Sequence, residues 1–193
     1  QAAGENPETW EIQVFNDASP NAFALPGRKI GVNTGMLDLA GTPAQLAAVI
    51  GHEIGHVQAR HGAERLSINM ASQTAQQISA IAVEGTEYGA VAMAAIGIGA
   101  QYGVLLPYSR THESEADYIG LNLMAKAGFD PQQSVVLWQT MSKAGGKKQP
   151  EFLSTHPANE SRIRELRAAM DEAKKHYQQV RITGQTPRCT KPK

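Results

Sequence analysis

His52 and His56 stand four residues apart with Glu53 beside the first, in the run Gly51-His52-Glu53-Ile54-Gly55-His56-Val57. On a helix of 3.6 residues per turn, positions four apart lie about 40° from one another, so both imidazoles can grip one ion from one face. Glu53 falls about 100° further round, where its carboxylate can flank a water at the metal without occupying a ligand position. Residue types in this pattern point to a zinc hydrolase site that carries its own general base.

Such a site needs a helix beneath it, and the flanking residues provide one. Thr42 offers an N-cap, Pro43 suits the first helical position, and Gly62 is a C-terminal stop. Leu46, Val49, Ile50 and Val57 form an apolar stripe for burial. Gly51 and Gly55 each cost about 1 kcal/mol of helix propensity relative to alanine, so something must approach closely there, either a neighbouring backbone or the substrate.

Two histidines leave a catalytic zinc one protein ligand short, because such sites hold three side chains and keep a fourth position open. In the longer pattern H-E-x-x-H-x-x-G-x-x-H the third histidine would fall at position 62, which is Gly62, so that class is excluded. His61, nine residues from His52, lies about 180° away on the same helix, and reads as a solvated helix-end histidine favoured by the C-terminal dipole. The downstream run Ser109-Arg110-Thr111-His112-Glu113-Ser114-Glu115-Ala116-Asp117 opens another helical segment ending at Gly128. Glu113 and Asp117 share a face of it: Glu113 is assigned as the third ligand and Asp117 as acceptor for a ligand histidine N–H, which would fix its tautomer. Glu115 reads as an acidic first-turn residue complementing the helix dipole.

With these residues in place the chain resembles the HtpX-like and CAAX-prenyl-endopeptidase-like zinc metallopeptidases, gluzincins whose pattern is H-E-x-x-H followed by E-x-x-x-D. The resemblance takes in Asn21 to Gly27, Ile30 to Leu37, the helix around His52, Ser109 to Asp117, and Ser154-Thr155-His156-Pro157 with Arg162-Ile163. It implies one Zn2+ held by His52, His56 and Glu113, with Glu53 as the base. It also implies that His156 lies near the metal, stabilising the oxyanion or filling the open position, and that Arg162 is a cation beside the site. Taken alone, Thr155-His156-Pro157 is a helix-start signal, and both readings can hold together. The resemblance is greatest to the soluble bacterial branch, which implies a periplasmic or membrane-associated protease of protein quality control.

Length, composition and charge agree with one catalytic domain. The chain has 193 residues, 41% of them hydrophobic, enough for one ordinary core. We expect residues 1–178 to form the peptidase domain and residues 179–193 a tail. Charge is balanced at 18 basic and 18 acidic residues with no basic stripe, which argues against nucleic acid as a partner. The lone Cys189 sits in the polar tail, where it can make no internal disulfide and has no histidine motif to activate it. The chain begins at Gln1 without an initiator methionine or apolar leader, the mark of a processed or excised segment. Residues 88–107 are nearly all apolar or small and approach membrane-spanning length, but Gln101 and Tyr102 interrupt them and glycine and alanine dominate. A buried helix packed on the active-site helix is the preferred reading, a membrane-contacting element the alternative.

The expected class is α+β: a mostly helical zincin-like domain with a small N-terminal antiparallel sheet. Residues 10–37 read as strands, with alternation in Trp10 to Phe15 and a second run at Arg28 to Asn33. Asn21, Ala22 and Phe23, continuing to Ala24, read as a short edge strand that could hold an extended peptide through main-chain hydrogen bonds. Helices are expected at about 43–61, 64–83, 88–105, 112–127, 131–144 and 157–178. Trp138 and Met141 read as core, and residues 145–149 as a solvated loop.

The function that follows is hydrolysis of peptide bonds in unfolded or damaged proteins by a zinc-activated water. A second enzyme reading keeps the metal and changes the substrate to another amide, as in a deformylase. A non-enzymatic reading closes the site with His156 and leaves a latent, chaperone-like metal module.

Overall fold

A computed structural model describes residues 2, 4, 6–83, 109–144, 150–184, 186, 187 and 189. The expected helix at 88–105, the apolar stretch 88–107 and the loop 145–149 lie outside the described residues. The described chain is α+β, with three short strands followed by helices: β1 (Glu11–Phe15), β2 (Ala22–Leu25) and β3 (Lys29–Asn33), then α1 (Thr34–Ala40), α2 (Pro43–Gln58), α3 (His61–Val83), α4 (Arg110–Lys126), α5 (Gln132–Ala144), α6 (Phe152–Thr155), α7 (Glu160–Ala168) and α8 (Met170–Ile182). Among the described residues no helix is long and apolar enough to cross a membrane.

The sheet is mixed rather than antiparallel, in the order β1-β3-β2. Residues 16–21 carry the chain past the future position of β3, so β3 enters between its predecessors, parallel to β1 and antiparallel to β2. The turn from β2 to β3 places Gly27 and Arg28 at φ 87° and 62°, the left-handed conformation a tight reversal needs. This leaves β2 as one edge, with Ala22 opposite Val32 and Ala24 opposite Ile30. The Asn33 N–H donates to Asn21 C=O, so alternation turns the backbone groups of Ala22 and Ala24 away from β3.

Three expectations from sequence are corrected here. Residues 34–40 form a helix rather than continuing the strand, although Asn33 before them makes no side-chain cap. Pro157 does not begin the helix after the T-H-P segment; it starts at Glu160, where the Asn159 side chain accepts from the Arg162 N–H. That segment is also two helices meeting at Ala169, and the second runs to Ile182.

The core gathers the inner faces of the helices around α2 and α4. Met36, Val49, Leu121, Met124, Trp138 and Met141 are all buried in one cluster. The α2–α4 contact is the most extensive between any two of the described elements, and glycines set its distance. A Cβ on Gly51 would stand 2.8 Å from Gly120 O, and one on Gly55 would stand 2.7 Å from Ala116 O. The close approach read from Gly51 and Gly55 is therefore the backbone of α4. Because 51 lies against 120 and 55 against 116, the two helices run antiparallel, and His52 and His56 on one face Asp117 and Glu113 on the other.

Candidate metal centre

α2 is built as its sequence suggests: the Thr42 side chain accepts from the Gln45 N–H and Pro43 occupies the first turn. It carries His52, Glu53 and His56 into the interior, each 2% exposed. α4 is capped by Ser109, whose side chain accepts from the His112 N–H, and brings buried Glu113 and Asp117 to the same place. His156 follows α6 and Arg162 lies in the first turn of α7; both are buried as well.

One ligand atom from each of His52, His56, Glu113 and His156 falls within 4.8 Å of all the others. His52 Nε2 is 3.1 Å from His56 Nε2 and 3.1 Å from His156 Nδ1. Glu113 Oε1 is 3.3 Å from His56 Nε2 and 2.9 Å from His156 Nδ1, and its Oε2 is 3.4 Å from His52 Nε2. Nitrogen and oxygen ligands at about 2.0–2.1 Å from a tetrahedral ion stand about 3.3 Å from each other, so these separations fit a small divalent cation. The donor set of imidazoles and a carboxylate suits zinc among such ions.

Charge in the cluster favours a cation. Burial opposes a charge on His52, but hydrogen bonds to Asp117 and Glu113 overcome it and raise its pKa from 6.5 to about 9. Burial lowers His56 to about 3 and His156 to about 4, despite the hydrogen bond each makes with Glu113. Burial would also push Glu113 up, but hydrogen bonds from His156, His52 and His56 hold it well below the usual carboxylate range. A metal ion held by the cluster would compete with the proton on His52 for the same negative potential.

Asp117 and Arg162 support one side of this arrangement. Asp117 Oδ1 lies 2.9 Å from His52 Nδ1, which turns Nε2 toward the cluster. Arg162 Nε and Nη2 donate to the two Asp117 oxygens at 2.7 and 2.8 Å, and Nη1 lies 2.6 Å from Glu113 Oε2. The guanidinium also stacks 3.8 Å above the Trp138 ring. Burial would raise Asp117, yet the Arg162 charge and the His52 hydrogen bond hold it low. Trp138 is core, as read from the sequence, but a core residue that seats the buried cation and touches the edge of His52.

Glu53 stands apart from the ligand atoms. Its Oε1 has no hydrogen-bond partner among the described residues, and the nearest ring nitrogen, His156 Nε2, is 3.5 Å away. Burial raises its pKa from 4.5 to about 7, with His52 and a backbone hydrogen bond from Ala24 pulling the other way. That bond ties the β2 edge to the site. Of the residues read as a substrate-binding strand, Ala22 and Phe23 lie in β2, while Asn21 precedes it and bonds to Asn33.

His61 is where the sequence reading fails. It is 1% exposed, not solvated, with Nδ1 3.0 Å from His56 Nδ1 and Nε2 3.2 Å from Glu115 Oε2. The 180° argument assumed one continuous helix. Instead α2 ends at Gln58, Arg60 takes φ 59°, and a new helix begins at His61. The sequence puts the stop at Gly62; the break falls at Ala59 and Arg60 instead, so His61 opens α3 rather than closing α2.

Comparison with known proteins places this geometry. The model of peptidase family M48 matches residues 1–170. The "Mitochondrial metalloendopeptidase OMA1" of Schizosaccharomyces pombe is 39% identical over 180 residues, covering 89% of this chain and 50% of that protein. The human "Metalloendopeptidase OMA1, mitochondrial" is 34% identical over 174 residues, covering 86% of this chain and 33% of its own length. The "Beta-barrel assembly-enhancing protease" of Escherichia coli is 30% identical over 161 residues, covering 80% and 33%. The chain thus spans between a third and a half of these relatives, and relatives named for mitochondria and for β-barrel assembly share the same domain.

Proposed function

The chain belongs to peptidase family M48, and from that premise we propose that it is a zinc-dependent endopeptidase acting on peptide bonds of unfolded or damaged proteins. The observation that carries the reading is the convergence of His52 Nε2 and His56 Nε2, 3.1 Å apart, on the Glu113 carboxylate, whose Oε2 is 3.4 Å from the first and whose Oε1 is 3.3 Å from the second, with the Glu53 carboxylate close by. His52, His56 and Glu113 are the residues that would hold the ion. Zinc bound there supplies a Lewis acid that polarises a carbonyl and lowers the pKa of water toward neutrality.

The chain's own residues supply the rest. Glu53 accepts the proton of the attacking water at its unpaired Oε1 and returns it to the nitrogen of the leaving amine. Burial suits it for both steps, because a carboxyl near 7 exchanges a proton readily at neutral pH. The outer edge of β2, tied to Glu53 through the Ala24 backbone, is where an extended substrate adds as a strand. Asp117 and Arg162 keep His52 in the tautomer that directs Nε2 inward. His156 serves as donor to the oxygen that becomes negative as the carbonyl is attacked.

A second state of the same site is favoured by one observation: His156 Nδ1 lies among the ligand atoms, 2.9 Å from Glu113 and 3.1 Å from His52. Four protein donors around one ion make a closed site, a latent form of the enzyme in which water has no position. Digestion of an unfolded model protein by the zinc-loaded chain tests the main reading. Glu53→Gln should lower turnover by about 10²–10⁴-fold while zinc stays bound, and chelation should abolish the wild-type activity. Retained activity in Glu53→Gln would overturn the assignment, and zinc uptake without activity in the wild type would favour the closed module.

A further inference from the structure

The proposed ligands, base and supporting pair leave one buried histidine without a task. His61 is enclosed between the metal centre and the surface: its Nδ1 faces His56 Nδ1 at 3.0 Å and its Nε2 faces Glu115 Oε2 at 3.2 Å. Its ring is stacked on His112, centroids 4.2 Å apart and planes 23° from parallel, and His112 Nε2 lies 3.1 Å from Glu64 Oε2.

Proton bookkeeping gives these contacts a direction. His56 presents Nε2 to the cluster, 3.1 Å from His52 Nε2 and 3.3 Å from Glu113 Oε1, so as a ligand its lone pair must be there and its proton on Nδ1. Two ring nitrogens 3.0 Å apart share a single proton, so His61 Nδ1 must be the acceptor. A neutral His61 then carries its own proton on Nε2, and Glu115 Oε2 is in place to accept it.

We propose that His61 is the positioning residue of His56, accepting its Nδ1–H and so fixing the tautomer that offers Nε2 to the metal, with Glu115 holding His61 in the accepting tautomer. The proposal rests on the metal reading above. His52 receives the same service from Asp117 directly, whereas His56 receives it through an intervening imidazole, delivered by the break at Arg60 that opens α3 at His61. Ligand histidines generally donate their second N–H to a carboxylate, a carbonyl or a water; a neutral imidazole with one free lone pair does the same task.

The test compares full-length wild type, His61→Leu and His61→Asn, each purified and loaded with zinc. The zinc dissociation constant is measured by chelator competition, and imidazole tautomers by long-range ¹H–¹⁵N correlation. Leucine fills the space without an acceptor and should weaken zinc about 10–100-fold. Asparagine places an oxygen near the former Nδ1 and should recover affinity to within about threefold of wild type. In zinc-loaded wild type, His61 should show its proton on Nε2 and His56 on Nδ1. A His61 proton on Nδ1, zinc as tight in His61→Leu as in wild type, or asparagine as weak as leucine would each overturn the proposal. If His61→Leu does not fold, the wild-type tautomers decide alone. A wild type that takes up no zinc would instead overturn the metal reading itself and this role with it.

Discussion

Glu53 and Glu113 sit on facing helices of one centre, 2% and 1% exposed, yet their surroundings drive them in opposite directions. Burial disfavours the charge on both. At Glu113 that penalty is outweighed by hydrogen bonds from three histidines, with the Arg162 guanidinium 2.6 Å away. At Glu53 the compensation is a backbone hydrogen bond and more distant charges, so the carboxyl rises to about 7. The difference teaches how one site separates a permanent anion from a proton carrier with the same side chain: neighbours decide, not residue type. A fixed anion suits a metal ligand, and a carboxyl near neutrality suits a base.

The largest expected effect comes from erasing the difference on the Glu113 side. Arg162→Met leaves Asp117 and Glu113 buried without the guanidinium that contacts both, and should destabilise the protein by about 3–5 kcal/mol in denaturant unfolding. Arg162→Lys should recover little, because a single ammonium cannot reproduce the bidentate grip on Asp117 together with the contact to Glu113. A loss under about 1 kcal/mol for Arg162→Met would mean that water or another cation already compensates these carboxylates, and the contrast with Glu53 would dissolve.

The Glu53 side is sharpened by pH. A base acts unprotonated, so kcat/KM must fall as pH drops through the Glu53 pKa, by about tenfold per unit below it. Burial, net of the opposing His52 charge and Ala24 hydrogen bond, sets that value at about 7, and a nearby divalent cation would pull it down toward 4.5, the ordinary value. The acid limb of the pH profile should therefore lie between these limits, measured on the zinc-loaded enzyme at constant ionic strength. A limb below 4.5 would remove Glu53 as the base.

This contrast was partly legible in the chain. The pairing of His52 with His56 follows from helical periodicity, and the facing positions of Glu113 and Asp117 from the same rule applied downstream. The need for a close neighbour at Gly51 and Gly55 was visible too, though that the neighbour is α4 was not, since nothing local in a sequence says which helix returns. Where local signals were absent, the reading went astray. Asn33 makes no side-chain cap before α1, and the division of the last helices at Ala169 has neither proline nor glycine to announce it. His61 was misplaced because periodicity holds only while a helix continues, and Arg60 at φ 59° ends it. The ionisation of Glu53 is a tertiary property, fixed by what fails to surround it.

A third carboxylate gives the smallest effect and marks the edge of the comparison. Glu115 lies two residues beyond Glu113 in the same acidic run, but its side chain is 54% exposed and its contact is the outer nitrogen of His61. Water solvates it whether or not it is paired, so the attraction it contributes is of the surface kind, about 0–1 kcal/mol. Glu115→Gln keeps an oxygen to accept from His61 and removes only the charge. Zinc affinity should then fall by at most about fivefold, the equivalent of that energy. High salt should narrow the gap further, because exposed charges are screened and buried ones are not. A loss as large as that of His61→Leu would place Glu115 with the buried anions in energy although not in position, and exposure would no longer explain why neighbouring carboxylates on one helix differ.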